Sequence, residues 1–205
     1  MGKYEIPDGY KTHSHIYYTQ SKESSKTQNT GVYAYCKRLI KEHFFSSVLD
    51  VGCGQGRKLM TYIRPLVNRM VGMDIKEAVV LLRQEFPKEQ WEVVNFEKST
   101  NPLKENFDLL ICVDVIEHME DPDKLLDFIR KQATNSTAIV ISTPERGNYN
   151  PNGPPPNAKH VREWTREELK RYLKKSGFKV QSMEYIPNGG RQTIVALCSL
   201  PIMEV

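Results

Sequence analysis

The sequence contains few cysteines and no long apolar run, and both absences narrow the kind of protein it encodes. Its four cysteines are scattered over 205 residues and none belongs to a CxxC pair. Neither a disulfide framework nor a cysteine-based zinc site is therefore expected. No apolar stretch approaches the roughly 20 residues that a membrane-spanning helix needs. We expect a cytoplasmic protein with reduced thiols and no membrane partner.

A dense basic stripe is also missing, and the formal net charge is only +4. A dedicated nucleic-acid binder usually carries a stronger positive patch, so this charge disfavours a nucleic-acid partner without excluding one. The first thirty residues are polar and show no periodicity, which predicts a flexible N-terminal arm over 1–30. The remaining length suits one compact domain over 31–205. Nothing in the pattern indicates an oligomeric state.

Short apolar runs alternate with helical patterns through most of the domain. Strands are predicted over 47–52, 70–75, 91–95, 107–113 and 137–142. Helices are predicted over 31–44, 59–67, 77–86, 123–131 and 165–176. Two final strand-like runs, near 178–185 and 192–199, suit an antiparallel hairpin. The order predicts an α/β, Rossmann-like, doubly wound fold with a mostly parallel seven-stranded sheet and helices on both faces.

A glycine loop follows the first predicted strand. Glycines at 52, 54 and 56 give the pattern GxGxG, and Arg57 stands where a dinucleotide-binding fingerprint would place its third glycine. Asp74 comes twenty residues after Gly54, at the end of the second predicted strand. A carboxylate at that position can accept hydrogen bonds from ribose hydroxyls. The loop and the acid together predict a nucleoside-binding site.

The string VLDVGCGQG at 48–56 resembles motif I of class I S-adenosylmethionine-dependent methyltransferases. The resemblance implies that S-adenosylmethionine is the cofactor, and that Asp50 and the glycines border its methionine part. It also implies that the end of the third strand flanks the adenine, and that the end of the fourth offers backbone to the methionine part. The predicted cofactor contacts are Asp50, Gly52, Cys53, Gly54, Gly56, Asp74, Ile75, Asn95, Phe96 and Val113.

A second group of ionisable residues follows the fourth strand, in the string DVIEH at 114–118. If this stretch is helical, Asp114, Glu117 and His118 share one face. Two carboxylates and an imidazole suit either a divalent cation or a general base that a carboxylate orients. A third interpretation is that these side chains only wall the pocket. The residues leave these alternatives open.

A long loop without helix or strand signal runs from about 142 to 164 and ends in His160, Arg162 and Trp164. Loops of this length in compact domains usually serve function or are disordered. Trp164 is predicted to stack on a polar acceptor ring and Arg162 to hydrogen-bond it, while His160 serves as acid, base or ligand. The opposing interpretation is that Trp164 packs against the helix behind it.

The string from 142 to 164 resembles small methyltransferases of glycan and secondary-metabolite pathways. The DxxEH string and His160 are also similar to those of small-RNA 2′-O-methyltransferases and quinone-biosynthesis O-methyltransferases. That likeness implies a possible Mg²⁺ or Mn²⁺ set of Asp114, Glu117, His118 and His160, although the RNA family usually has Glu at the first position.

These resemblances predict methyl transfer to an oxygen of a small polar acceptor, with a nitrogen as the alternative. His118 or His160 would take the acceptor proton, and Glu117 would complete the catalytic group. The alternatives are a metal-dependent RNA 2′-O-methyltransferase and a non-catalytic S-adenosylmethionine-binding protein. A nicotinamide oxidoreductase is disfavoured by Arg57 and by the final hairpin.

Overall fold

The computed structural model describes residues 2–14, 30–98, 101–147, 151–188 and 190–202. Its strands are β1 (Ser47–Val51), β2 (Arg69–Asp74), β3 (Gln90–Val93), β4 (Leu109–Val113), β5 (Ala138–Pro144), β6 (Lys179–Asn188) and β7 (Arg191–Ser199). Its α-helices are α1 (Thr30–His43), α2 (Lys76–Glu85), α3 (Pro122–Gln132) and α4 (Arg166–Lys175). No helix in these described parts is both long and apolar enough to cross a bilayer.

All seven strands form one sheet in the order β3-β2-β1-β4-β5-β7-β6. The first five strands are parallel, whereas β7 runs antiparallel to β5 and β6. This arrangement confirms the predicted Rossmann-like fold and its C-terminal hairpin. The strand order reverses between β1 and β4, and the carboxyl ends of these strands form the edge where ligands bind in such sheets.

Both faces of the sheet are covered, as the apolar strands require. Along β1, Val48 packs with α1 and α2, whereas Leu49 and Val51 pack with α3 and α4. The alternation follows from the two-residue period of a strand, which sends neighbouring side chains to opposite faces. The result is two apolar cores separated by the sheet.

The helix predicted over 59–67 is only partly present. The chain forms a short π-helix, Leu59–Ile63, followed by a 3-10 turn, Arg64–Leu66. Pro65 explains the change, because proline has no N–H to donate and its ring clashes with the carbonyl four residues earlier. The Arg64 N–H donates to the Leu59 carbonyl instead, which widens the turn.

The helix predicted over 165–176 begins as its sequence indicates. The Thr165 hydroxyl accepts from the Glu168 N–H, and the Glu168 carboxylate accepts from the Thr165 N–H. Gly177 follows the helix with a φ of 90°, a backbone conformation that glycine adopts without a steric penalty. This reciprocal cap fixes the start of α4 directly after the long loop.

Residues 2–14 of the predicted N-terminal arm lie against the domain. Ile6 is buried in the core that contains α3 and α4, and the Tyr4 ring meets Tyr172 of α4 edge to face. The predicted flexibility of 15–29 lies outside the described residues.

Candidate active site

The glycine loop lies at the carboxyl end of β1. Gly52, Gly54 and Gly56 all have positive φ angles, of 79°, 59° and 68°. A Cβ on Gly52 would lie 2.4 Å from Cγ2 of Val115, so a larger residue does not fit. The N–H groups of Gly52 and Cys53 donate to the Met73 carbonyl at 2.8 and 3.0 Å, which ties the loop to β2.

Asp74 closes the same loop from the end of β2. Its Oδ2 accepts from the Gly54 N–H and its Oδ1 from the Ile75 N–H, both at 2.7 Å. Burial raises the pKa of this carboxyl, although the two backbone hydrogen bonds act in the opposite direction. The structure thus brings Asp74 and the glycines together, as their spacing predicts.

Asp50 lies beneath the loop and is fully buried. Its Oδ2 accepts a 2.7 Å hydrogen bond from the Tyr33 hydroxyl, and its Oδ1 has no hydrogen-bond partner among the described residues. Burial raises the pKa of Asp50 to about 7, while the Tyr33 bond opposes the shift. Lys58 is half-buried, and its charge favours ionisation of Asp50.

The residues predicted to flank the cofactor further along the edge differ in exposure. Asn95 is exposed after β3, and its Oδ1 accepts from the Glu97 N–H at 3.0 Å. Phe96 is buried, with its ring against Phe128 at a centroid distance of 5.1 Å. Val113 is buried at the end of β4. The Phe96 ring therefore belongs to the core.

Three predicted catalytic residues converge beyond the end of β4. One ligand atom from each of Glu117, His118 and His160 lies within 4.8 Å of the others, and we call this group the acceptor cluster. The two imidazole rings meet edge to face at a centroid distance of 4.9 Å. His160 comes from the long loop, so the cluster joins residues that are more than forty positions apart.

Glu117 is the buried carboxylate of the cluster. Its Oε2 accepts from the Thr143 hydroxyl at 3.0 Å, whereas its Oε1 has no hydrogen-bond partner among the described residues. Burial and the charge of Asp114 raise the pKa of Glu117 well above its ordinary value. Its backbone carbonyl accepts from the Val161 N–H at 2.7 Å, which attaches the long loop to the cluster.

Hydrogen bonds orient both imidazoles. The Nδ1 of His118 lies 2.9 Å from the Lys159 carbonyl, which only accepts, so Nδ1 donates and the neutral ring carries its lone pair at Nε2. The Nδ1 of His160 donates to the Glu163 carboxylate at 2.5 Å. Its Nε2 lies 2.8 Å from Nδ2 of Asn157, which donates to it.

Asp114 does not join the cluster, contrary to the predicted fourfold metal set. Its φ is 53°, which interrupts any helix through 114–118, and only Ile116–His118 forms a 3-10 turn. The Asp114 carboxylate accepts a 2.6 Å hydrogen bond from the Ser142 hydroxyl. The shared helical face on which that prediction depended is therefore absent from this described segment.

Arg162 and Trp164 occupy structural positions, and their predicted acceptor contacts gain no support. Arg162 donates to the carbonyls of Met119 and Glu120, at 2.8 and 3.0 Å. Trp164 is fully buried; its Nε1 donates to the Tyr4 carbonyl at 3.0 Å and its ring stacks on Tyr172. These contacts hold the long loop in place, and the Trp164 ring has no face open to a ligand.

Sequence reasoning missed Glu163, the carboxylate that binds His160. The spacing of three residues between them was a usable signal, because a carboxylate near a functional histidine commonly fixes its tautomer. It also missed Thr143, whose contact with Glu117 depends on the position of β5. No local pattern indicates that contact.

Comparisons with known proteins agree with this architecture. A family model described as a methyltransferase domain matches residues 26–183. A structure of an S-adenosylmethionine-dependent methyltransferase from Clostridium acetobutylicum superposes with a TM-score of 0.68 at 11% identity, covering 86% of this chain and 93% of that one. The N-methyltransferase NodS of Bradyrhizobium japonicum, solved with S-adenosylhomocysteine, gives 0.64 at 16% identity, covering 83% and 86%. At these identities the superpositions show the fold alone.

Curated relatives match over shorter shares of their length. The small RNA 2′-O-methyltransferase of Mus musculus is 27% identical over 163 residues, which is 67% of this chain and 39% of that protein. The mitochondrial ubiquinone biosynthesis O-methyltransferase of Dictyostelium discoideum is 28% identical over 112 residues, covering 47% and 35%. The chain thus spans about two fifths of these relatives. It belongs to the methyltransferase domain family.

Proposed function

We propose that this protein is a class I S-adenosylmethionine-dependent methyltransferase that methylates a hydroxyl oxygen of a polar acceptor, and that the acceptor hydroxyl binds at the acceptor cluster. The observation that carries the proposal is the convergence of a fully buried carboxylate and two oriented imidazoles within 4.8 Å. Burying Glu117 with one oxygen unpartnered is costly unless a ligand completes it. Such a group is a common mark of a functional site.

The residues of the glycine loop suit the cofactor. Loop 52–56 offers backbone without side chains, and the Asp74 carboxylate beside it can take the ribose hydroxyls. Asp50 has one buried oxygen without a partner in the described chain, which suits a cationic group of the ligand. S-Adenosylmethionine supplies a methyl group already activated on a sulfonium, so the protein has mainly to orient the acceptor and exclude water.

His160 is the better general base of the two histidines. The Glu163 carboxylate at its Nδ1 stabilises the imidazolium that forms when Nε2 takes a proton. His118 has only a neutral carbonyl at the equivalent position, which favours the charged ring less. Asn157 must release His160 Nε2 when the acceptor binds, because its amide now occupies that nitrogen.

The same cluster also fits a divalent cation. Glu117 would contribute an oxygen, and His118 and His160 would each contribute an imidazole nitrogen. Each ring already donates its other N–H to a carbonyl or carboxylate, as metal-binding histidines usually do. A bound cation would act as a Lewis acid that lowers the pKa of the acceptor hydroxyl. His160 then serves as a ligand and no longer as the base.

A small polar acceptor such as a sugar or a phenol is the first expectation. A ribose 2′-hydroxyl at an RNA end is the second candidate, and one observation favours it. The small RNA 2′-O-methyltransferases of mouse and rat match 67% of this chain, compared with 45–55% for the ubiquinone O-methyltransferases. Both candidates place the hydroxyl at the same cluster.

The test measures methyl transfer to sugar, phenol and RNA acceptors, with and without a chelator, in wild type, His160→Ala and His43→Ala. His43 is an exposed histidine at the end of α1, so it is a matched control. We expect His160→Ala to reduce turnover at least a hundredfold, within the range for loss of a general base. Its affinity for S-adenosylhomocysteine and the activity of His43→Ala should stay unchanged.

If His160→Ala turns over at the same rate as wild type, the proposal is contradicted. Loss of activity on chelation, with recovery on adding Mn²⁺, identifies the cation-assisted mode. Activity that survives chelation identifies the general-base mode. Transfer to RNA ends alone selects the second acceptor.

A further inference from the structure

The N-terminal segment, residues 2–14, lies along the loop that carries His160. The Lys11 N–H donates to the Asn152 carbonyl at 3.3 Å, and the His13 N–H donates to the Val161 carbonyl at 3.0 Å. The His13 ring adds a 3.0 Å contact between Nε2 and the Pro155 carbonyl. The beginning of the described chain therefore supports a loop about 140 residues later.

Tyr10 is the residue of this segment that reaches the acceptor cluster. Its hydroxyl oxygen accepts from the Glu163 backbone N–H at 3.2 Å. Its ring covers the guanidinium of Arg146, with 4.4 Å between that group and the ring centroid. Arg146 is buried and forms an ion pair with Glu168, which completes the capping box of α4. The phenol is thus held in one place by its ring while its hydroxyl is available to Glu163.

We propose that Tyr10 is a positioning residue of the active site: it fixes the Glu163 backbone, and the Glu163 carboxylate then fixes the Nδ1 of His160. The inference rests on the proposed function of His160. Glu163 is buried and its carboxylate lies 2.5 Å from His160 Nδ1, so a displacement of its backbone moves the imidazole as well. The direction of His160 Nε2 therefore depends on a hydroxyl group in the N-terminal segment.

The two parts of the Tyr10 side chain can be separated by mutation. Phenylalanine keeps the ring over Arg146 and removes only the hydroxyl that Glu163 needs. Tyr4 offers a matched control, because it belongs to the same segment and its ring also covers an arginine, Arg162, at 4.6 Å. Its hydroxyl donates to Asp121 at 3.2 Å and does not contact Glu163.

The experiment compares full-length wild type, Tyr10→Phe and Tyr4→Phe by three measurements. The first is the ¹H–¹⁵N imidazole spectrum, in which His160→Ala identifies the His160 signals among only five histidines. The second is the affinity for Mn²⁺ alone, and the third is the affinity for S-adenosylhomocysteine. The S-adenosylhomocysteine measurement reports on the glycine loop and Asp74, which do not contact Tyr10 in the proposed arrangement.

We expect Tyr10→Phe to shift or broaden the His160 Nδ1–H signal and to weaken Mn²⁺ binding by about tenfold, near the lower end for outer-shell partners of metal-binding histidines. Its affinity for S-adenosylhomocysteine should stay within twofold of wild type, and Tyr4→Phe should leave all three measurements unchanged.

A His160 signal in Tyr10→Phe that matches wild type overturns the inference, as does an equal shift in Tyr4→Phe. Loss of S-adenosylhomocysteine binding in Tyr10→Phe also overturns it, because the effect is then general. If Mn²⁺ binds wild type and His160→Ala equally, the cation mode of the proposed function fails instead. The imidazole spectrum still decides the role of Tyr10 in that case.

Discussion

Replacement of Asp50 by Asn should change how the stability of the protein depends on pH. Asp50 is fully buried, and its folded-state pKa of about 7 lies well above the ordinary value of 3.8. The folded protein therefore keeps this proton in a range where the unfolded chain has released it. The contribution of Asp50 to the free energy of unfolding then falls as the pH rises from about 4 to about 7.

The size of the effect follows from the shift. A difference of about three pKa units changes the contribution of Asp50 to the free energy of unfolding by about 4 kcal/mol in total. Roughly 3 kcal/mol of this stability is lost between pH 5 and pH 8. Asn cannot ionise, yet its carbonyl oxygen still accepts from the Tyr33 hydroxyl. The free energy of unfolding of Asp50→Asn should therefore rise by about 3 kcal/mol relative to that of wild type between pH 5 and pH 8.

Urea unfolding of both proteins at the two pH values measures this double difference. Asp108→Asn is an informative control, because hydrogen bonds from Ser46 and Ser47 lower the Asp108 pKa below its ordinary value. The carboxylate of Asp108 therefore stabilises the fold throughout this pH window, and Asp108→Asn should lose the same stability at pH 5 and at pH 8. A stability difference between wild type and Asp50→Asn that is the same at both pH values would refute the reasoning.

Three further predictions concern the glycine loop, Asp74 and the core. Gly52→Ala should weaken S-adenosylhomocysteine binding at least tenfold by calorimetry, because its Cβ meets Val115 at 2.4 Å and alanine at this positive φ costs ~1–3 kcal/mol. Asp74→Asn should weaken binding about tenfold in the same titration, since an amide cannot accept both backbone hydrogen bonds; wild-type affinity would show that Asp74 does not hold the ribose. Trp164→Ala should lower the free energy of unfolding by about 4 kcal/mol in urea, and a loss below 1 kcal/mol would contradict its role in the core.

Much of the fold could be predicted because its signals are local. Buried parallel strands read as short apolar runs, and the capping box of α4 lies within four residues. The glycine loop could also be predicted from the sequence, because the positive φ angles at 52, 54 and 56 demand glycine. The spacing to Asp74 follows from one strand–helix–strand unit. Predictions of this kind depend on neighbours along the chain.

The surroundings of Glu117, His118 and His160 were predicted less well because their contacts are distant in sequence. Trp164 was predicted either to stack on an acceptor or to pack against the helix behind it. Its ring stacks on Tyr172 of that helix, and its Nε1 donates to the Tyr4 carbonyl, 160 residues away. Asp114 was placed on a helical face with Glu117, and the left-handed backbone at Asp114 removed that face. Nothing in the local pattern distinguishes a polar residue that turns the chain from one that binds a ligand.

The positions of the only two tryptophans give the protein two built-in optical reporters. Trp91 lies against the glycine loop, where a Cβ on Gly56 would meet its ring at 3.0 Å, whereas Trp164 lies between the N-terminal segment and α4. Trp164→Phe leaves fluorescence that reports on the glycine loop, and Trp91→Phe leaves fluorescence that reports on the packing of the N-terminal segment against α4. Changes at these two places can therefore be followed separately and without an attached dye.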